Sequence, residues 1–262
     1  MKPVPASVPA LVTGASSGIG ERFAVRLAER GHELTVVARR ADRLEQLARR
    51  LRREHGGTVH VLTADLETPE GRAEVASTLR SRSPWILVNN SGFGAHGAFA
   101  EHTVERETGM VAVNVVALHE LMLATLPGNV AAGGGGVLNL ASTAAYQPIP
   151  YLATYAATKA FVLHLTEAVA EEVRGTGTRV CALCPGSTRT EFGEVAGAQE
   201  AMRRLPTMNV DAVVDAGLRS FDRGEVICVP GALNQIGAIA ATITPRVAVR
   251  RFLGVAAHPP RG

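Results

Sequence analysis

Short apolar runs of strand length recur along the chain, at residues 10–13, 33–38, 58–63, 85–89, 137–141, 179–183 and 226–229. Between them the apolar positions repeat with a helical period. From Asp42 to Arg53, for example, Leu44, Leu47 and Leu51 fall on one stripe while the arginines face elsewhere. Strand alternating with helix in this way predicts parallel strands, because parallel neighbours need a crossover between them. The expectation is an α/β fold: a doubly wound parallel sheet of about seven strands with helices on both faces, as one domain over residues 1–262.

Three stretches break the rhythm. PGNVAAGGGG, residues 127–136, is predicted as a loop between a long helix of about 104–126 and the fifth strand, since proline and clustered glycine oppose both helix and central strand. Residues 186–208 form a long irregular connection, and such connections are commonly binding loops, here a candidate substrate loop. The apolar segment of about 231–255 packs on the domain or on a second subunit in the simplest reading. The uncharged run 226–245 that leads into it holds two prolines, two glycines, Asn234 and Gln235, which opposes a membrane span. The last residues, HPPRG, are expected to be disordered.

The most informative turn follows the first strand. LVTGASSGIGERFAVRLAERG runs from a strand through Gly14, Gly18 and Gly20 into a helix whose apolar stripe includes Ile19, Phe23 and Leu27. A glycine turn ending on a helix N-terminus offers unpaired backbone N–H groups and a positive dipole end, which suits a pyrophosphate. A tight turn alone would explain two of the three glycines. The spacing is neither the GxGxxG of the dinucleotide fingerprint nor the GK(S/T) of a nucleotide-triphosphate loop, and it is the position between first strand and first helix of a doubly wound (Rossmann) sheet that favours a nucleotide site.

Charge and composition narrow the partners. The net charge of +3 over 262 residues is mild and locally concentrated, so small molecules are expected rather than nucleic acid or a membrane surface. Cys181, Cys184 and Cys228 are odd in number, and the first two lie in a candidate strand, so neither a disulfide framework nor a zinc or other metal site is indicated. The N-terminal stretch has no apolar core of signal-peptide length, and a reducing, cytoplasmic setting is expected.

Lysine is nearly absent: of 27 basic residues only Lys2 and Lys159 are lysines, and Lys159 ends a run of 38 residues, Leu121 to Thr158, without Asp, Glu, Lys, Arg or His. Four residues before it stands Tyr155, on the same face of a predicted helix. A free phenol has a pKa near 10, and a neighbouring cation favours its ionised form. A compact ammonium is also better matched than a broad guanidinium to bonding two ribose hydroxyls.

These features together resemble the short-chain dehydrogenase/reductase family, in its shorter branch. The marks run in register over about residues 8–192: TGASSGIG, Asp65 in TADL, NNSG at 89–92, Asn114 in AVNVVA, Ser142 in NLAST, Tyr155-x-x-x-Lys159, and Pro185–Gly186 followed by Thr190. Ser91 and Thr143 depart from the residues usual in the family, away from the catalytic groups. The resemblance implies hydride transfer between a carbonyl and an alcohol. Tyr155 would be the general acid/base and Ser142 the partner of the reacting oxygen, with Lys159 supporting the phenolate and Asn114 holding a relay water. It implies cofactor contacts from Gly14, Ser16, Ser17, Gly18, Ile19, Gly20, Asp65, Leu66, Asn90, Tyr155, Lys159, Pro185, Gly186, Thr188 and Thr190. Arg39 ends the second strand where NAD-preferring relatives carry an acid, so Arg39 first and Arg40 second are expected to pair with a 2′-phosphate, favouring NADP over NAD. Part of the charge from Arg39 to Arg53, seven arginines and two acids, is a solvated helix face.

Phe93, Tyr151, Phe192, Met202 and Met208 are candidates for the substrate pocket. A homo-oligomer, dimer or tetramer through two long helices, is expected by the same resemblance. The alternatives are a dinucleotide-binding regulator without turnover, which ought to lack the tyrosine or serine, and a longer-branch epimerase or dehydratase, which usually has a different glycine spacing.

Overall fold

The computed structural model describes residues 3–199 and 206–256. Seven parallel strands form one sheet in the order β3-β2-β1-β4-β5-β6-β7. They are β1 (Ala10–Thr13), β2 (Leu34–Ala38), β3 (Val59–Thr63), β4 (Ile86–Asn89), β5 (Gly136–Leu140), β6 (Arg179–Leu183) and β7 (Ile227–Cys228). Each lies within two residues of the run that predicted it. The doubly wound expectation is met: the order runs outward in opposite directions from β1 and β4, which leaves a crevice at their carboxyl ends.

Neighbouring residues on a strand serve opposite layers, because successive side chains alternate across a sheet. Val12, Val36 and Leu138 face one core, and Leu11, Val37 and Val137 face the other. The first core is covered by α1 (Gly18–Glu29), α2 (Ala41–His55) and α8 (Val210–Arg223), through Phe23, Leu27, Leu44, Leu51, Leu218 and Phe221. The second is covered by α3 (Pro69–Arg80), α5 (Leu118–Ala132) and α6 (Ala153–Glu172), through Leu79, Leu121, Met122, Val162 and Leu163. Ion pairs from Arg22 and Arg26 to Asp211 and Asp215 tie α1 to α8.

The loop predicted at 127–136 is overturned. A helical run of 29 residues, Val104–Ala132, comprises α4 (Val104–Val111), a π-helical turn (Ala112–Ala117) and α5. Proline costs a helix the bond from its own nitrogen to the carbonyl four residues back. Here Pro127 and Leu123 are both exposed, so water can satisfy the Leu123 carbonyl. Asn129, fully buried, then donates Nδ2 to the Trp85 carbonyl and accepts the Trp85 N–H at Oδ1, at 2.9 and 2.7 Å, which locks the helix end onto the start of β4. Only Gly133–Gly135 remain as the connection. This run is the one described helix long and apolar enough to cross a membrane, and over half of its most apolar window is buried inside the fold.

The connection after β6 contains a one-turn helix, α7 (Phe192–Val195), and Thr188 forms a β-bridge with Met208. Beyond β7, α9 (Ala232–Ile243) and α10 (Arg246–Ala256) bury Ala238 and Val249 but expose Leu233, Ile236, Ile239, Ile243, Phe252 and Val255. HPPRG lies outside the described residues.

Candidate active site

A cavity of about 750 Å³ opens at the carboxyl ends of the strands, beside the β1/β4 switch point. Of the residues expected at the site, Gly14, Ser16, Ser17, Gly18, Ile19, Arg39, Arg40, Asp65, Leu66, Asn90, Ser142, Tyr155, Lys159, Pro185, Gly186, Thr188 and Thr190 line it. Gly20 and Asn114 do not; both support the wall from behind.

The glycine turn shows why side chains are excluded. Gly14 and Gly18 have φ of 66° and 59°, in the left-handed region. A Cβ on Gly14 would meet Asn90 Nδ2 at 2.7 Å, and one on Gly20 would collide with the Gly14 carbonyl and the same Asn90 amide. The Asn90 amide nitrogen donates to the carbonyls of Thr13 and Gly14, at 2.9 and 3.2 Å, and holds the turn in shape. Ser17, the N-cap of α1, makes no side-chain cap bond. An uncapped N-terminus of a 12-residue helix at the cavity wall leaves N–H donors for an anion, which fits the pyrophosphate of a dinucleotide.

On the far wall stand Tyr155 and Lys159, one turn apart on α6, with Ser142 at the end of β5. Tyr155 and Lys159 share the face of α6 that looks into the cavity, as the four-residue spacing predicts. Lys159 is 5% exposed; its Nζ donates to the Leu140 carbonyl at 2.6 Å and lies 5.7 Å from the Tyr155 ring centroid. One bond leaves two of its N–H donors for other partners. Burial pushes the Lys159 ammonium down to about 8. Burial likewise pushes the Tyr155 hydroxyl up to about 12, opposed by the Ser142 hydroxyl.

The Lys159 ammonium by itself does not bring the phenol down: Nζ is directed at a backbone carbonyl and stands over the ring 5.7 Å from its centroid, and desolvation of the phenolate dominates. As the structure stands, Tyr155 is a protonated acid at neutral pH.

Asn114 sits in the π-helical turn, 1% exposed. Its Nδ2 donates to the Phe93 carbonyl and Thr158 Oγ1, at 2.9 and 3.1 Å, and its Oδ1 accepts the Phe93 N–H at 3.0 Å. Both amide donors are used inside the protein, so the side chain could bond a relay water only through Oδ1. A Cβ on Gly92 would lie 2.9 Å from Oδ1 and 3.4 Å from Lys159 Nζ, so glycine keeps a gap between those two groups.

At the cofactor end, Arg39 and Asp65 face one another at 3.9 Å, with the Arg39 side chain 65% exposed. Arg40 donates to Ser16 Oγ, Ser17 Oγ and Glu191. Glu191 and the C-terminal lining residues Leu233, Asn234 and Leu253 were missed by motif reasoning, since no local spacing ties them to the turn. Of the pocket candidates, Phe93 and Phe192 line the cavity, and the Phe192 ring lies 5.1 Å from that of Tyr155. Tyr151 and Met208 are not among the lining residues, and Met202 lies outside the described ones.

The profile of the family described as short chain dehydrogenase matches residues 9–201. The chain belongs to the short-chain dehydrogenases. An uncharacterized oxidoreductase of Staphylococcus epidermidis is 31% identical over 79% of this chain and 89% of that protein. A short-chain dehydrogenase from Sphingobium yanoikuyae, solved in complex with NADPH, superposes with a TM-score of 0.83 at 36% identity, covering 97% of this chain and 98% of that one. The bulky-bulky ketone specific alcohol dehydrogenase from Comamonas testosteroni superposes with a TM-score of 0.77 at 36% identity, covering 91% and 95%. Membership makes the chain an oxidoreductase of carbonyl and alcohol groups with a nicotinamide dinucleotide cofactor.

Proposed function

We propose that this short-chain dehydrogenase is an NADP-dependent carbonyl reductase or alcohol dehydrogenase in which Tyr155 is the general acid/base. The observation that carries the reading is the convergence of Tyr155, Lys159 and Ser142 on one wall of a cavity whose other wall is an uncapped helix N-terminus. The cofactor, when bound, exchanges hydride with the substrate carbon. The pyrophosphate would lie on the Ser16–Ile19 turn and the adenosine beside Asp65 and Leu66. The remaining Lys159 donors would hold the ribose, with Pro185, Gly186, Thr188 and Thr190 closing over the nicotinamide end.

Ser142 and Tyr155 hydroxyls bond the carbonyl oxygen. Tyr155, protonated at neutral pH, gives its proton to that oxygen in the reducing direction. Such transfer contributes about 10² to 10⁴ in rate. In the oxidising direction the phenol must first lose its proton, and positive charge placed beside the ring favours this. The Oδ1 of Asn114 and the gap at Gly92 support a water route from Lys159 to solvent.

The substrate end is walled by Phe93, Val113, Ile149, Leu152, Phe192 and Leu253, which favours a bulky apolar ketone, as in the Comamonas enzyme. Arg39 and Arg40, together with the NADPH held by the Sphingobium relative, support NADP. The free, buried thiols of Cys181, Cys184 and Cys228 agree with a reducing, cytoplasmic setting.

The test follows NADPH consumption at about 340 nm, where the reduced ring absorbs, against ketones of graded bulk, for wild type and Tyr155→Phe. Turnover falls at least about 10²-fold in the variant while NADPH affinity, measured by titration, stays within about threefold. A variant retaining more than a few per cent of turnover would remove Tyr155 from the role. Absence of turnover in both proteins alongside tight NADPH binding would favour the regulatory alternative.

A further inference from the structure

The groove contains an ion-pair cluster centred on Glu191, a residue to which the chemistry above gives no role. The Arg40 guanidinium donates from Nε and Nη2 to Ser16 Oγ, at 3.1 and 2.9 Å, and from Nη2 to Ser17 Oγ at 2.8 Å. Its remaining edge, Nη1, donates to Glu191 Oε2 at 2.9 Å. Arg43, on the first turn of α2, donates to the other carboxylate oxygen, Oε1, at 2.7 Å. Glu191 reaches this cluster from the connection that follows β6, across the cofactor groove, and itself lines the cavity.

Two guanidinium groups and two hydroxyls beside the glycine turn are the donor chemistry that recognises a phosphate monoester. In this structure the anion in contact with both guanidinium groups is a carboxylate of the same chain. Both oxygens of the Glu191 carboxylate are engaged, one by each guanidinium, so a phosphate reaching the same two groups meets a carboxylate already there.

We propose that Glu191 is an internal counter-anion that occupies the arginine site of the NADP 2′-phosphate and has to be displaced for that phosphate to bind. The proposal rests on the NADP reading above. It makes Glu191 a determinant of cofactor affinity that acts by competition. Removing the carboxylate strengthens binding of a 2′-phosphorylated nucleotide and leaves binding of one without that phosphate unchanged. The arginines and Glu191 are each about two-fifths exposed, and a pair of that kind is worth a factor of about 1.5 to 5. Two such pairs predict a gain of about 2- to 30-fold.

The experiment is isothermal titration of the wild-type protein, Glu191→Gln and Glu191→Ala with adenosine 2′,5′-bisphosphate and with 5′-AMP, fold integrity being checked by circular dichroism. Both variants are expected to bind the bisphosphate more tightly than wild type by the stated factor, with 5′-AMP affinity the same in all three proteins. Bisphosphate affinity unchanged or weakened in both variants would overturn the proposal alone, because wild type would still prefer the bisphosphate. Equal affinity of wild type for the two nucleotides would overturn the NADP reading and the proposal with it.

Discussion

Lys159 carries two demands that conflict. It is buried at the floor of the site, and the proposed function needs it charged to hold ribose hydroxyls and support Tyr155. Burial lowers it to about 8 from an ordinary 10.5. The unfolded chain therefore binds more protons than the folded one between about pH 8 and 10.5. Stability rises with pH in that window, and the full cost of burying the charge is present below it. Denaturant titrations of wild type and Lys159→Met at pH 7 and at about pH 10 test this: the wild type gains on the variant as pH rises, and a constant difference would contradict the assignment.

Arg39 is the counterpart at the cofactor end. Its largely exposed guanidinium is only loosely engaged by Asp65 at 3.9 Å and can turn to a phosphate. A charged hydrogen bond is worth about 1.5 to 3 kcal/mol, so Arg39→Asp lowers kcat/KM for NADPH by about 10- to 150-fold and narrows or reverses the preference over NADH. Equal loss with both cofactors would show a structural effect only. Tyr155 and Lys159 were legible on one helix face from their four-residue spacing, and Ser142 and Arg39 through the family resemblance of NLAST and of the second strand's end; all four line the cavity. The direction of the Tyr155 shift was not, because it depends on how much solvent the fold removes and on Lys159 being held by the Leu140 carbonyl, 19 positions away in sequence.

At the level of elements, the glycine turn and helix α1 work as one object. Gly20 lets the first turn of α1 lie directly on the Gly14 carbonyl, with the Asn90 amide locking the contact. Gly20→Ala has no room for its methyl group and is expected to cost about 1 to 3 kcal/mol of stability, as overpacking does. It also weakens NADPH binding, since the N–H donors at Ser16–Ile19 shift. Thermal unfolding and NADPH titration of the variant check both parts, and an unchanged Tm with unchanged affinity would contradict the packing argument. Strands and amphipathic helices were legible from period alone, because burial on one stripe or on both faces writes itself into local sequence. The end of α5 was not. Pro127 and Gly128 are local signals for a break, yet the broken bond falls on the solvent face, and Asn129 ties the helix end to Trp85, 44 positions earlier.

In the molecule as a whole, exposed apolar side chains among the described residues include those on two helix pairs. One set lies on α5 and α6, where Leu123 and Phe161 are 61% and 40% exposed and the His119 and Phe161 rings stand 6.5 Å apart. The other lies on α9 and α10, where Leu233 and Leu253 border the cavity and Leu233, Ile236, Ile239 and Phe252 are exposed. Large contiguous apolar patches mark interaction surfaces more often than chance exposure does. The long helices are the surface expected for association between copies of the chain, because closed symmetric pairing of one helix face with itself buries the patch completely. Wild-type protein is therefore expected to run as a dimer or tetramer in light scattering after gel filtration. Leu123→Glu combined with Phe161→Glu is expected to lower its mass to that of a smaller assembly, while the fold is kept because both side chains already face solvent. An unchanged mass in that variant, with dissociation produced instead by Ile236→Glu and Ile239→Glu, would move the interface to the C-terminal helices. Each subunit's cavity would then be roofed next to its neighbour, and its substrate affinity would depend on protein concentration.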